Sequence, residues 1–196
     1  MAWVIIGLGN PGEEYTNTRH NAGRMALESF AKKEGIDAWK SHSASKSLTA
    51  SVAVGKNNVT LVLPQTFMNK SGVSAAKFVK SVKAAEKMIV VYDDLDLALG
   101  KIKVSFDRGS GGHKGVESIT RAVKTNKFTR IRIGVSPATP SGKIKKPQGE
   151  DDVVKFILAK FKPSEMDELK KIFKTVGEAI ETVVESGPTA AMNQCN

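Results

Sequence analysis

The sequence predicts an α/β domain built on a mixed sheet. Short apolar runs alternate with segments whose apolar residues recur at helical spacing, the pattern of helices laid over a sheet. Segments 48–54 and 59–63 are separated by Gly55-Lys56-Asn57-Asn58, a hairpin signal. Segments 101–106 and 128–135 alternate apolar with polar residues, as half-buried strands do. The hairpin and the alternation argue against a purely parallel sheet. At 196 residues, 40% hydrophobic and 26% charged, the chain suits one domain, 1–196, with a core of its own. No repeat or linker divides it.

The elements follow in order. Residues 3–8 form a short apolar run closed by glycine, a buried strand. Residues 18–33 read as a helix, with Ala22, Met25, Ala26 and Phe30 on one stripe and Gly35 as its stop. After the hairpin, 71–82 reads as a helix, 88–92 as the most apolar strand and 114–124 as a helix. Residues 136–149 are a Pro/Gly/Lys loop, and 152–161 a short helix. The last long helix carries Met166, Leu169, Ile172, Phe173, Val176, Ile180 and Val183 on one face. Ser164 followed by Asp167 reads as its cap, and Gly187-Pro188 as its end.

Composition narrows the function classes. The net charge of +10 favours a polyanionic partner. No apolar run approaches the ~20 residues that span a bilayer, and no basic helix carries aromatic anchors, so a membrane partner ranks last. The N-terminal segment lacks a basic stretch before its apolar run and reads as a strand, not a signal peptide. The single cysteine, Cys195, has no partner for an internal disulfide, which suits a reducing cytoplasm. It lies in what reads as a frayed tail, so it is expected to be a bystander.

Five segments carry candidate chemistry. Gly7-Leu8-Gly9-Asn10-Pro11-Gly12 fits a dinucleotide-binding glycine pattern, but Glu13-Glu14 would repel a pyrophosphate and no acid closes a second strand about 20 residues on. Thr18-Arg19-His20-Asn21-Ala22-Gly23 puts His20 at the first turn of a helix, where the positive helix end disfavours protonation and leaves a base. Gln65-Thr66-Phe67-Met68-Asn69-Lys70-Ser71-Gly72 places Asn69 between strand and helix, as a substrate-facing amide or a cap. Asp93-Asp94-Leu95-Asp96 ends the most apolar strand, where three acids could hold a metal or one could orient a histidine. Gly109-Ser110-Gly111-Gly112-His113-Lys114-Gly115 opens a helix whose N–H groups could hold a phosphate or carboxylate. No Cys/His cluster has metal-ligand spacing.

In this order and spacing, the five segments resemble the bacterial-type peptidyl-tRNA hydrolase family, with likeness from Trp3 to about Glu185. The resemblance implies a monomeric three-layer α/β domain with a mostly parallel, mixed sheet and a mobile lid over 136–160. It implies hydrolysis of the ester joining peptide to tRNA, with water as nucleophile and neither metal nor cofactor. His20 would be the general base and Asp93 its orienting acid. Asn10 and Asn69 would grip the substrate, with Tyr15 and Met68 lining the same crevice. The family commonly has a third asparagine where this chain has Lys114, which keeps donors but loses the amide acceptor. Of the outward basic residues expected to meet tRNA phosphates (Lys101, Lys103, Arg130, Arg132, Lys143, Lys145, Lys146), Lys103 and Arg132 match the family's tRNA-contacting strands. Two competitors stand beside this reading. One is an RNA-binding relative without hydrolysis, opposed by intact Asn10, His20, Asn69 and Asp93. The other is a nucleotide-dependent oxidoreductase.

Overall fold

The computed structural model describes residues 2–196. Its sheet holds seven strands among the described residues: β1 (Trp3–Gly7), β2 (Lys40–His42), β3 (Ser47–Val54), β4 (Asn57–Pro64), β5 (Met88–Ala98), β6 (Ile102–Phe106) and β7 (Thr129–Ser136). They lie in the order β2-β3-β4-β1-β5-β7-β6. The central pairs β4–β1, β1–β5 and β5–β7 are parallel, and the flanking pairs are antiparallel. The sheet is therefore mixed, as the hairpin and alternation predict, and its centre is parallel.

Parallel strands at the centre must be covered on both faces, and their sequences show it. Trp3 and Ile5 of β1, with Ile89 and Val91 of β5, face one apolar cluster; Val4, Ile6, Met88, Val90 and Tyr92 face another. The first cluster is completed by α1 (Ala22–Lys33), α6 (Pro163–Ser186) and α7 (Pro188–Cys195). The second is completed by α2 (Ser71–Phe78) and α4 (Lys114–Val123). The result is three layers, with a short α3 (Val82–Ala85) and α5 (Glu150–Leu158) at the periphery.

Several local expectations change. The 71–82 helix breaks after Phe78, because Val79 turns extended and Ser81 caps α3 by accepting the Ala84 N–H. Strand β2 is exposed throughout, so it carries no apolar pattern to detect. Strand β5 runs past Tyr92 to Ala98, with its pairing register shifting between Asp94 and Ala98. The acidic segment therefore lies inside a strand. Helix α6 starts at Pro163, and Glu165, not Ser164, serves the cap by accepting the Lys162 N–H at 2.7 Å. Proline needs no partner for a missing N–H, which makes it a natural first residue. Gly187 ends α6, but Pro188 opens α7, so Cys195 sits on a helix packed against the first cluster and not in a frayed tail. Burial pushes its thiol pKa up, which disfavours the thiolate.

One close approach sets the site. Gly23, in the first turn of α1, lies against β5 so tightly that an added Cβ would strike the Val91 carbonyl and the Tyr92 Cα. Both obstacles are backbone, so neither can swing aside. Gly23→Ala should push α1 away from β5 and cost about 1–3 kcal/mol, the range for overpacking a closed core. Urea denaturation checks this; a loss under ~0.5 kcal/mol would mean the contact relaxes freely.

Candidate active site

Three segments distant in sequence converge on one buried carboxylate. The turn Arg19–Asn21, ahead of α1, supplies His20; β5 supplies Asp93; the glycine-rich loop ahead of α4 supplies His113. Asp93 is 3% exposed. His20 Nδ1 lies 3.0 Å from both Asp93 oxygens, and His113 Nε2 lies 3.0 Å from Oδ1.

The hydrogen-bond partners fix which ring nitrogens carry hydrogen. His113 caps α4: its Nδ1 accepts the N–H groups of Gly115 and Val116, so Nε2–H donates to Asp93. Two of the N–H groups that could have held a phosphate or carboxylate at the start of α4 are thus taken by the loop's own histidine. His20 Nδ1–H likewise donates to Asp93. Its Nε2 has no hydrogen-bond partner among the described residues, and His20 lines a cavity of about 320 Å³. Asp93 and the two rings come close enough to hold a metal. However, a metal on His113 Nε2 would need hydrogen on Nδ1, which would then face the two N–H groups it now accepts.

The electrostatics follow from burial and pairing. For His20, burial is the largest influence and disfavours the charged ring, but the Asp93 charge and hydrogen bond outweigh it and hold the pKa above its ordinary value. Burial pushes the Asp93 pKa up, but the charges and hydrogen bonds of His20 and His113 overcome it and hold the carboxyl well below the usual range. His20 precedes α1 in its own short turn, so burial, not the first turn of the helix, is what opposes its charging.

The cavity is lined on one side by His20, Asp93, Asp94 and Lys114, and on the other by Val153, Val154 and Ile157 of α5. Other candidates lie elsewhere. Asn10 is buried beside a separate polar cleft of about 340 Å³; its Oδ1 accepts the Met68 N–H at 2.8 Å, and its backbone exchanges two hydrogen bonds with the Asn21 amide. Met68 is buried in the second apolar cluster. Tyr15 packs edge-on against Phe67, which is 57% exposed, and Asn69 is exposed on the following turn. The glycines at 7 and 9 are explained by packing: a Cβ at either would meet α1 or the residues leading into it.

The basic residues divide. Lys101 and Lys103 are exposed. Arg132 is half-buried and paired with Asp94 at 2.5 Å. Arg130, expected outward, is buried: it stacks on Phe128 at 3.9 Å and donates to the Asn126 and Phe128 carbonyls. Strand alternation puts Arg130 and Arg132 on one face, but loop 124–128 folds over the first of them. The remaining acids diverge: Asp94 caps the Asp96 N–H and holds Arg132, while Asp96 pairs with Lys146. Sequence reading missed His113 as a partner of Asp93; the available signal was a histidine at the cap position of a helix.

The balance on His20 gives a signed prediction. In Asp93→Asn the charge that raises its pKa is gone, while the burial that lowers it stays. His20 should titrate above 6.5 in the wild type and below it in the variant. An NMR titration of the ring Cε1 proton reads both values, and a wild-type value at or below 6.5 would overturn the account.

A family model described as peptidyl-tRNA hydrolase matches residues 4–196. Peptidyl-tRNA hydrolase of Chloroflexus aggregans is 38% identical over 197 residues, covering 99% of this chain and 98% of the relative. That of Aquifex aeolicus is 37% identical over 194 residues, covering 98% and 95%. The crystal structure of peptidyl-tRNA hydrolase from Acinetobacter baumannii superposes with a TM-score of 0.86 at 31% identity, covering 98% of this chain and 93% of that one. Matched by the family model from residue 4 to 196 and 38% identical to a relative over 99% of its length, the chain belongs to the peptidyl-tRNA hydrolase family.

Proposed function

We infer that the protein hydrolyses the ester joining the peptide to tRNA in peptidyl-tRNA, with His20 as general base. The observation that supports His20 is its divided ring: Nδ1–H is held by Asp93 at 3.0 Å, while Nε2 lacks a partner and the ring borders the cavity. Water held at Nε2 loses its proton to the ring as its oxygen attacks the ester carbonyl. Asp93 stabilises the ring while it carries that charge. When the tetrahedral species collapses, the ring returns the proton to the ribose oxygen that leaves. The products are a peptide acid and a tRNA with a free ribose hydroxyl. His113 acts through Asp93, filling its remaining acceptor capacity and fixing its plane.

Substrate contacts follow the geometry. With Oδ1 committed to Met68, Asn10 has its Nδ2 to offer; Asn69 and Lys114 are exposed and free to swing toward a bound ester. Tyr15 and Phe67 present an aromatic rim, while Met68 supports it from within the core. A third cleft, of about 480 Å³, contains Lys103, Arg108 and Arg132 and shares Tyr92, Asp94, Ser110 and Gly111 with the His20 cavity. It suits the phosphates of tRNA. Segment 136–160 is the lid, its helix laying Val153, Val154 and Ile157 over the peptide side. One chain supplies every group named, which suits a monomer, and the reading places it in the cytoplasm with no metal and no cofactor.

Removing a general base costs ~10²–10⁴-fold in rate. His20→Ala should lose that much in single-turnover hydrolysis of peptidyl-tRNA while binding tRNA within a few fold of the wild type. Activity surviving within a few fold would remove His20 from the role. Because rate needs the neutral ring and Asp93 raises its pKa, rate should climb with pH through a step above 6.5 and then level.

The binding of tRNA should weaken linearly in log salt as phosphates release counterions. Lys103→Ala should lower that slope by about one. Arg132→Ala should lower it by less, since Asp94 already holds that charge. A slope near zero for the wild type would sink the phosphate reading.

A further inference from the structure

We infer that Arg19 is a positioning residue that holds His20 and the pivot of the α5 helix in one fixed relation. The inference rests on the reading of His20 as base and adds a residue to it. Arg19 precedes His20 in the same turn and takes different partners. Nη1 donates to the carbonyls of Ala159 and Lys160 at 3.2 and 3.0 Å. Nη2 donates to both oxygens of Glu165, at 2.9 and 2.8 Å. The guanidinium sits over the Phe156 and Phe161 rings at 4.5 and 5.1 Å. The Arg19 backbone N–H also donates to Ala159, Phe161 N–H donates to Asn17, and Thr18 pairs with Lys160.

These contacts all fall where α5 ends and α6 begins. Phe156 belongs to α5, the helix whose Val153, Val154 and Ile157 border the His20 cavity. Far from this joint, the Lys146–Asp96 pair that ties the preceding loop is exposed, and such pairs hold little. The contacts that tie the helix to the turn carrying His20 therefore gather at its C-terminal end. The anchor is the turn that carries His20, so any tilt of α5 about its pivot is referred to the base. Glu165 makes the joint stiffer by taking the Arg19 fork and the Lys162 N–H together. A lysine can carry the charge but cannot reach two carbonyls and a carboxylate in one plane.

The test is Arg19→Lys, with Glu165→Gln as a milder partner that leaves the carbonyl bonds and both ring contacts in place. Arg19→Lys should lower the single-turnover rate about tenfold, a loss of the size that sub-ångström misplacement of a base produces. The tRNA Kd should stay within about twofold, because no contact of Arg19 faces the cationic cleft. Amide hydrogen exchange across 152–158 should quicken, while exchange in β1 and β5 stays unchanged. Glu165→Gln should move both readouts the same way by less, and it carries the test if Arg19→Lys does not fold. A rate within twofold of the wild type overturns the proposal. So does a lost rate with unchanged exchange in α5, or faster exchange in every element, which marks a merely destabilised chain. His20→Ala assayed beside them separates the two readings: if it stays active the base assignment fails, whereas if it is inactive and Arg19→Lys is not slowed, only the positioning role fails.

Discussion

The burial of the Asp93 charge is the constraint on which the site depends. A carboxylate nearly closed off from water is costly unless donors surround it, and both donors here are histidines from other parts of the chain. Each ring is oriented by what it gives to Asp93. His113 must donate from Nε2 because its other nitrogen caps α4, and His20 must donate from Nδ1, which turns its free lone pair outward. The same contact therefore orders a helix start, holds an ion and leaves one ring nitrogen of His20 free.

Meeting this constraint shapes the surrounding fold. For His20 to reach β5, the start of α1 must touch the strand, and Gly23 is the residue that lets it. For His113 to reach the same carboxylate from the other direction, α4 must begin just beyond the end of the site, and the glycines of the loop allow the chain to turn there with Gly111 and Gly112 at positive φ. The turn holding His20 then serves two neighbours. His20 faces Asp93, and Arg19 grips the junction of α5 and α6.

The charge of +10 is less available than the composition suggests. Arg19 and Arg130 are buried, and Arg132 is paired with Asp94. The guanidinium groups largely organise the interior and the cleft wall, where a planar fork satisfies several acceptors at once. The lysines, including Lys101 and Lys103, remain at the surface as mobile point charges.

By itself the sequence determined the class of fold, the hairpin, the buried central strands and the face of the long helix, since burial on one or two faces imposes a period on neighbouring residues. It also marked the segments of the site, because glycines, asparagines and acids at fixed spacing limit what a backbone can do locally. It did not reveal β2, which is exposed on both sides, the break after Phe78, or α7, whose start after Gly187-Pro188 looks the same as an ending. Nor did it assign partners. His20 and Asp93 stand 73 residues apart, and Arg19 and Glu165 146. Periodicity carries no information about which distant side chain will answer a charge. Whether Arg130 faces water or a phenyl ring, and which nitrogen of His113 holds the hydrogen, was decided only when the sheet brought the loops together, because those outcomes depend on desolvation by residues the local sequence does not contain.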